Sequence, residues 1–499
     1  MSTIRSTGYS DLLVRQLGTM RTQLEDLSQQ LTTGIRSQTY GGLGDARNLA
    51  LAYQGKLRQA ESYQDTISTL DVRFQVGDKT LTQLSKIASN LKGNLDPNSF
   101  NLSTTGVTDA QTFAIDAMQA FTTLLNTDVA GRYIFAGSAT DTEPVISVDR
   151  MLDGVNGKAG YKQVMQERRQ ADQGADGRGR LTLASGGGTM TLTEDGAHPF
   201  GMKLQAATST LSNATVTGPT GSPAGISVAF SGQPELGEKL TLTFTQPDGT
   251  SSKIEVEAGE ATDASKNTFQ IGATAADTAD NLKSLVDQKI QSLADTDLVA
   301  ASAVQASNEF FATENGAAPM RVVGPPFATA TALAADTAHA DTVQWYVGTN
   351  DSSSARGDVS TRVDASVTVQ YGMRANEQAF SWALRQMAVI ASVDVSGGTA
   401  TDSEVHSQVL QRTKGNLGVP AGVQSIEGVE VEVAAAAQAA TQAGTRHKAL
   451  SATYQKVVDD TVNADQSEVA TKLIALQTQM QASYQATSIL YKLTLTNYI

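Results

Sequence analysis

Near the N-terminus apolar residues recur at Leu13, Leu17, Met20, Leu24, Leu27 and Leu31. The steps alternate between four and three, the period of a helix whose stripe faces another helix. The stripe stops at Gly34, a helix breaker by backbone entropy. Gly41, Gly42 and Gly44 then predict a loop. A second seam runs Leu49, Tyr53, Lys56, Ala60, Tyr63, Ile67, Leu70, Phe74, Gly77, Leu81, Leu84, Ala88 and Leu91, interrupted only by Lys56 and Gly77. At the rise of an α-helix it predicts a rod roughly 60 Å long. That is far beyond an ordinary globular helix and implies a coiled coil or an extended bundle.

Pro97 and Gly106 bound a loop, and a third helix is expected from Thr108 to Asn126, with Ala114, Met118, Phe121 and Leu125 on one face and Thr108 or Asp109 as cap. Gly131 to Gly137 reads as a turn and a short strand. From 150 to 360 alternation replaces the heptads. Leu181–Leu183, Met190–Thr193, Leu240–Phe244 and Ile254–Val256 read as half-buried strands. Pro247-Asp248-Gly249-Thr250 is a hairpin turn signal, and one short helix is expected at Ala275–Leu293. Helical pattern is expected again from 365 through Ala375–Ala391. After a break at Gly415, Gly418, Pro420 and Gly422 comes a long final helix, with a seam of Val462, Gln466, Val469, Leu473, Leu476, Met480, Ser483, Thr487 and Leu490.

The expected class is therefore α+β and multidomain. Residues 1–150 and 361–499 form two halves of a helical core, paired as an antiparallel coiled-coil bundle, and 151–360 is an outward-facing β-rich insert. Heptads serve internal bundle packing equally well as assembly. The apolar terminal stripes favour an assembly, because free apolar ends are a liability.

Composition narrows the chemistry. Lys plus Arg is 37 and Asp plus Glu is 51, a formal net charge of −14. Phosphate-backbone binding needs clustered cations, so nucleic acid is excluded as a partner, and an anionic membrane surface is disfavoured in the same way. No run of about 18 apolar residues predicts a membrane span, and no apolar segment with a cleavage site marks an ordinary secretory signal. There is no cysteine, which excludes disulfides, thiolate catalysis and Cys-ligated metals. The four histidines are widely spread. Neither Gly186-Gly187-Gly188 nor the Gly41–Gly44 loop carries a phosphate-binding signature. Asp172 to Gly177 lacks the ligand spacing of a calcium loop. Arg356-Gly357-Asp358 spells a tripeptide that some animal receptors bind, a match that three residues produce by chance. No catalytic, cofactor-binding or metal-binding constellation stands out, and no enzyme is expected.

The chain ends resemble the flagellin superfamily. Leu31-Thr32-Thr33-Gly34-Ile35-Arg36 stands where the family has a Leu-x-x-Gly-x-Arg/Lys turn. Gly131-Arg132-Tyr133-Ile134-Phe135-Ala136-Gly137-Ser138, followed by Asp141-Thr142-Glu143-Pro144, is similar to the corresponding stretch of hook–filament junction proteins, and so is the ending Leu495-Thr496-Asn497-Tyr498-Ile499. Tyr371-Gly372-Met373-Arg374-Ala375-Asn376-Glu377 also looks like variants within the superfamily. The Leu- and Arg-rich tail of many flagellins is absent.

The resemblance implies a structural subunit of the bacterial flagellum, joining hook to filament and lying outside the cell. It implies export through the flagellar type III channel without a cleaved signal, and terminal helices that fold on assembly. The implied partners are copies of the chain itself, a hook-associated protein, flagellin and an export chaperone, with no cofactor. Two alternatives remain: flagellin of the filament itself, and a surface adhesin acting through the insert.

Overall fold

The computed structural model describes the backbone of residues 3–496 and the side chains of residues 11–489. The chain is α+β, roughly half helical, with several small sheets. The helices are α1 (Thr3–Thr33), α2 (Ala46–Asn94), α3 (Asp109–Leu125), α4 (Val148–Asp153), α5 (Tyr161–Gln173), α6 (Ala275–Asp295), α7 (Asp297–Phe311), α8 (Gln378–Ser392), α9 (Ala400–Asn416), α10 (Ile426–Val462) and α11 (Gln466–Thr496). The strands are β1 (Asp128–Val129), β2 (Arg132–Tyr133), β3 (Leu181–Gly186), β4 (Thr189–Glu194), β5 (Lys203–Ser209), β6 (Ala214–Thr220), β7 (Gly225–Phe230), β8 (Lys239–Thr245), β9 (Ser251–Gly259), β10 (Thr268–Gln270), β11 (Met320–Val322), β12 (Leu333–Ala335), β13 (Ser360–Arg362) and β14 (Thr368–Gln370).

The chain divides into two compact units. Unit 1 holds Met1–Asp71, Arg362–Thr368 and Gln438–Ile499; unit 2 holds Val72–Thr361 and Val369–Ala437. These boundaries differ from the expected division at 150 and 361. Residues 72–150 and 369–437 join the middle of the chain because α3 packs on α8, and α8 and α9 pack on α7.

Unit 1 is built from lengths of helix. Gly34 ends α1 with φ +73, a left-handed conformation that glycine adopts without steric penalty. The exit is stitched to the α10–α11 break: the Arg36 amide donates to the Val462 carbonyl (2.8 Å) and the Ala464 amide to that of Gly34 (2.9 Å). Asp465 then caps α11, its Oδ1 accepting from the Ser467 amide at 2.9 Å. This break corrects the single final helix expected from the seam. Within the unit α1 contacts α11. The α2 part of the unit runs antiparallel to the α10 part: Tyr53 meets Tyr454, Tyr63 stacks on His447 at 4.8 Å, and Ile67 faces Gly444. Lys56, an interruption of the seam, lies outside it with its ammonium over the rings of Tyr53 and Tyr454.

Unit 2 has a conventional core. Sheets ordered β3-β4-β7-β6 and β10-β9-β8-β5 share one apolar cluster with α6. Their strands alternate buried Leu, Met, Val, Ile and Phe with outward Thr and Ser, and β8 turns into β9 through Pro247–Thr250 as expected. The middle of the chain is nonetheless richer in helix than the sequence pattern suggested. Helix α7 is buried on all sides among α5, α8 and α9, and its Ala and Ser residues let those neighbours approach closely. Between 365 and 377 there is no helix, contrary to expectation: β14 and an extended arm occupy it before α8 begins.

Candidate functional site

The predicted seams fall on helices α1, α2 and α11, with Val462 of the last seam at the end of α10, and their burial is graded. Ile67 and Leu70 of unit 1 are buried, as are Phe74, Leu81, Leu84 and Leu91 of unit 2. Among the described residues of α1 Met20 alone is buried; Leu13, Leu17, Leu24 and Leu27 are half-buried and Leu31 is exposed. Along α11 Val469 and Leu476 are buried, and Leu473 and Met480 half-buried. The side chain of Leu490, and Asn497, Tyr498 and Ile499 altogether, lie outside the described residues.

Beyond its seam, α11 leaves large apolar groups in solvent: Ile474 is 64% exposed and Ile489 58%, with Tyr484 also exposed. Val14 of α1 is 67% exposed, beside exposed Leu12. Residues 473–491 contain no Asp, Glu, Lys or Arg. The run therefore has a covered apolar seam on one side and uncovered apolar groups, without charges, on the other.

The other family-like stretch lies in unit 2. Strands β1 and β2 form a hairpin with a two-residue turn, Ala130 (φ 55) and Gly131 (φ 74). Two positive φ values in succession match the twist of a tight hairpin. The Gly131 amide also donates to Asp128 Oδ2 at 2.9 Å. Arg132 is exposed and Tyr133 half-buried. The chain then turns inward: Phe135 is buried edge-to-face on Phe380 of α8, ring centres 5.3 Å apart. Gly137 (φ +64) has no room for a side chain, since a Cβ there would fall 2.5 Å from Asp358 Oδ2 and 2.8 Å from Thr349 Cβ.

Residues 135–137 pair with the arm 373–375. The Gly137 amide donates to the Met373 carbonyl at 2.9 Å and the Ala375 amide to that of Phe135 at 2.8 Å. Two sequence stretches noted separately, Gly131–Ser138 and Tyr371–Glu377, are therefore one piece of structure. The arm is seated on α2. Tyr371 packs edge-to-face on Phe74 (5.4 Å), and Met373 Cε lies where a Cβ of Gly77 would come within 3.6 Å. Gly77, the second interruption of the α2 seam, lies under the arm at a spacing where a Cβ would make ordinary contact with Met373.

Arg374 is the centre of this junction. Its buried guanidinium donates to Asp358 (2.6 Å and 2.7 Å), Asp351 Oδ1 (2.7 Å), Ser353 Oγ (2.7 Å) and the Asp351 carbonyl (2.8 Å). These carboxylates raise the guanidinium's proton affinity further. The Ser353 hydroxyl and amide, then Arg374, hold the Asp351 carboxyl down at about 2. Arg356 spans the same region, pairing with Glu377 (2.5 Å) and Glu432 of α10 (2.8 Å) and donating to the Gly372 carbonyl. Burial pushes the Glu377 carboxyl up, against the pull of Arg356.

The tripeptide Arg356-Gly357-Asp358 is thus a structural clasp. Asp358 is 5% exposed and Arg356 15%, both engaged internally, so neither is presented for a receptor. Sequence reading missed the roles of Asp351, Asp358 and Thr349, whose hydroxyl accepts from the Ser138 amide at 2.9 Å. The one available signal was an arginine inside a small-residue arm.

Among the described residues no group of three or more His, Asp or Glu could hold a metal ion, and no helix is long and apolar enough to cross a membrane. No family model matches the chain, and no curated protein matches it.

Proposed function

We propose that the chain is a structural subunit of the bacterial flagellum, joining hook to filament by self-assembly of its terminal helices. In this reading α1 and α11 pair as an antiparallel coiled coil, and the stripe they leave uncovered packs against sister subunits and against hook-associated protein and flagellin. The insert at 151–360 is turned outward. The subunit leaves the cell through the flagellar type III channel, escorted by an export chaperone. The observation that carries the reading is α11: a charge-free run at 473–491 with Ile474, Tyr484 and Ile489 in solvent. Such a surface is a liability on a free monomer and an asset only where neighbours cover it.

Removing residues 490–499 tests it. The truncated chain should stay a soluble monomer with unit 2 folded and should fail to restore filament attachment in cells lacking the protein. Normal filaments on those cells would refute the proposal. Full-length protein that grows long filaments when seeded would replace the junction role with that of filament flagellin.

A further inference from the structure

Unit 2 contains a buried ionic cluster that the assembly reading does not use. Arg168 and Asp172 of α5 and Glu309 of α7 are all buried. Arg168 donates through Nε to Asp172 (2.8 Å), through Nη1 to Glu309, and through Nη2 to the Pro199 carbonyl (3.0 Å). The remaining Asp172 oxygen accepts from the Gly201 amide at 2.9 Å. Glu309 Oε1 also accepts from Gln305 at 3.1 Å, whereas Glu309 Oε2 is buried with no hydrogen-bond partner.

One guanidinium thus faces two carboxylates, and each of its three nitrogens is engaged. With both acids ionised the cluster carries a surplus negative charge in a dry interface, which is costly. The described cations of the neighbouring segments serve other acids, as Arg180 serves Asp195 beside Pro199. Glu167 of α5 is matched by Arg321 of β11 (2.7 Å). On the other elements packed against α7, Arg385 of α8 pairs with Glu314, Arg412 of α9 with Asp297 and Asp248, and Asp287 of α6 with Arg178.

We propose that Glu309 is a proton-operated lock between α5 and α7, closed while its carboxyl holds a proton and loosened when that proton leaves. Burial pushes this carboxyl up to about 7, against the attraction of Arg168. The folded chain binds the proton more tightly than the unfolded chain. The stabilisation is therefore complete below the ordinary carboxyl range and is lost as pH rises through about 7. Alkaline conditions loosen unit 2, mild acid tightens it, and the effect does not depend on the flagellar reading.

The test is denaturant unfolding of the full chain at a series of pH values from mild acid to mild alkali. The unfolding constant of the natural protein should rise with pH, by at most about tenfold per pH unit, and this component should level off above about 7. Glu309→Gln should remove it. Every other titratable group is common to the two proteins, so the difference between them reports Glu309. Equal pH slopes overturn the proposal. Carboxyl carbon NMR of the natural protein decides independently of whether the variant folds. A Glu309 signal with a midpoint of about 7 supports the lock; a Glu309 signal titrating in the ordinary carboxyl range overturns it.

Discussion

The two units bury their residues in opposite styles. Unit 2 closes its sheets over a continuous apolar cluster and neutralises nearly every buried arginine with a carboxylate. Unit 1 leaves half of its seams half-covered and lines α11 with Thr, Gln and Ser in place of charges. A unit that satisfies its own polar groups and covers its own apolar surface needs no neighbour. One with long helices and thin cores draws its remaining stability from whatever packs on it. Damage to unit 2 should therefore appear in the isolated chain, and damage to the outer faces of unit 1 should appear only in the assembly.

The largest effect is expected at Arg374. Replacing it by alanine leaves Asp358 buried without a cation and removes the donors that tie 351–358 to the arm at 373–375. Breaking a buried pair from one side costs about 3–5 kcal/mol. Denaturant unfolding of the full chain should show that loss, with hydrogen exchange accelerated across residues 135–138 and 351–377. A loss below about 1 kcal/mol would mean that the clasp is ornamental to unit 2. It would also reopen Arg356-Gly357-Asp358 as a tripeptide free to be displayed.

How far such features can be read from sequence depends on the range of the interactions behind them. The seams on α1 and α2 were legible because a four-three spacing is a local, repeated signal, and Gly34 and the Thr108 cap are local too. The alternating Thr strands were legible for the same reason. Helix α7 was not: buried on every side, it has no polar face and so no periodicity. The break before α11 was hidden because the four-three spacing runs on across it from Val462 to Gln466, although the chain bends at Asn463–Asp465. The Arg374 junction joins the neighbouring segments 351–358 and 373–375 to 135–138, far earlier in the chain, and nothing in that early segment announces the other two.

An intermediate effect is expected at Gly444, where α10 faces Ile67 of α2 within unit 1. A Cβ there would lie 3.3 Å from Ile67 Cγ2, tighter than ordinary contact. Gly444→Val adds two methyl groups beyond that Cβ, so α2 and α10 must part locally. Overpacking of this kind costs about 1–3 kcal/mol. Hydrogen exchange should quicken around residues 60–70 and 440–450, while the Trp345 fluorescence of unit 2 keeps its unfolding midpoint. A shift of that midpoint equal to the local loss would show that the units unfold as one.

The smallest effect on the isolated chain is expected at Ile474, and it separates the two styles of burial most cleanly. Ile474 lies on the uncovered side of α11 and is 64% exposed, so Ile474→Gln removes little packing within the chain. Glutamine is at least as good a helix former as isoleucine. Monomer stability should therefore change by less than about 0.5 kcal/mol, and helix content should be unchanged. If neighbours cover that face, the same substitution places a polar amide in an apolar contact, and assembly measured by sedimentation or filament attachment should fall steeply. Destabilisation of the monomer by more than about 1 kcal/mol would show that Ile474 is held within the chain itself. An unchanged monomer with unchanged assembly would show that this face of α11 stays in solvent, and the assembly surface would then have to lie elsewhere on unit 1.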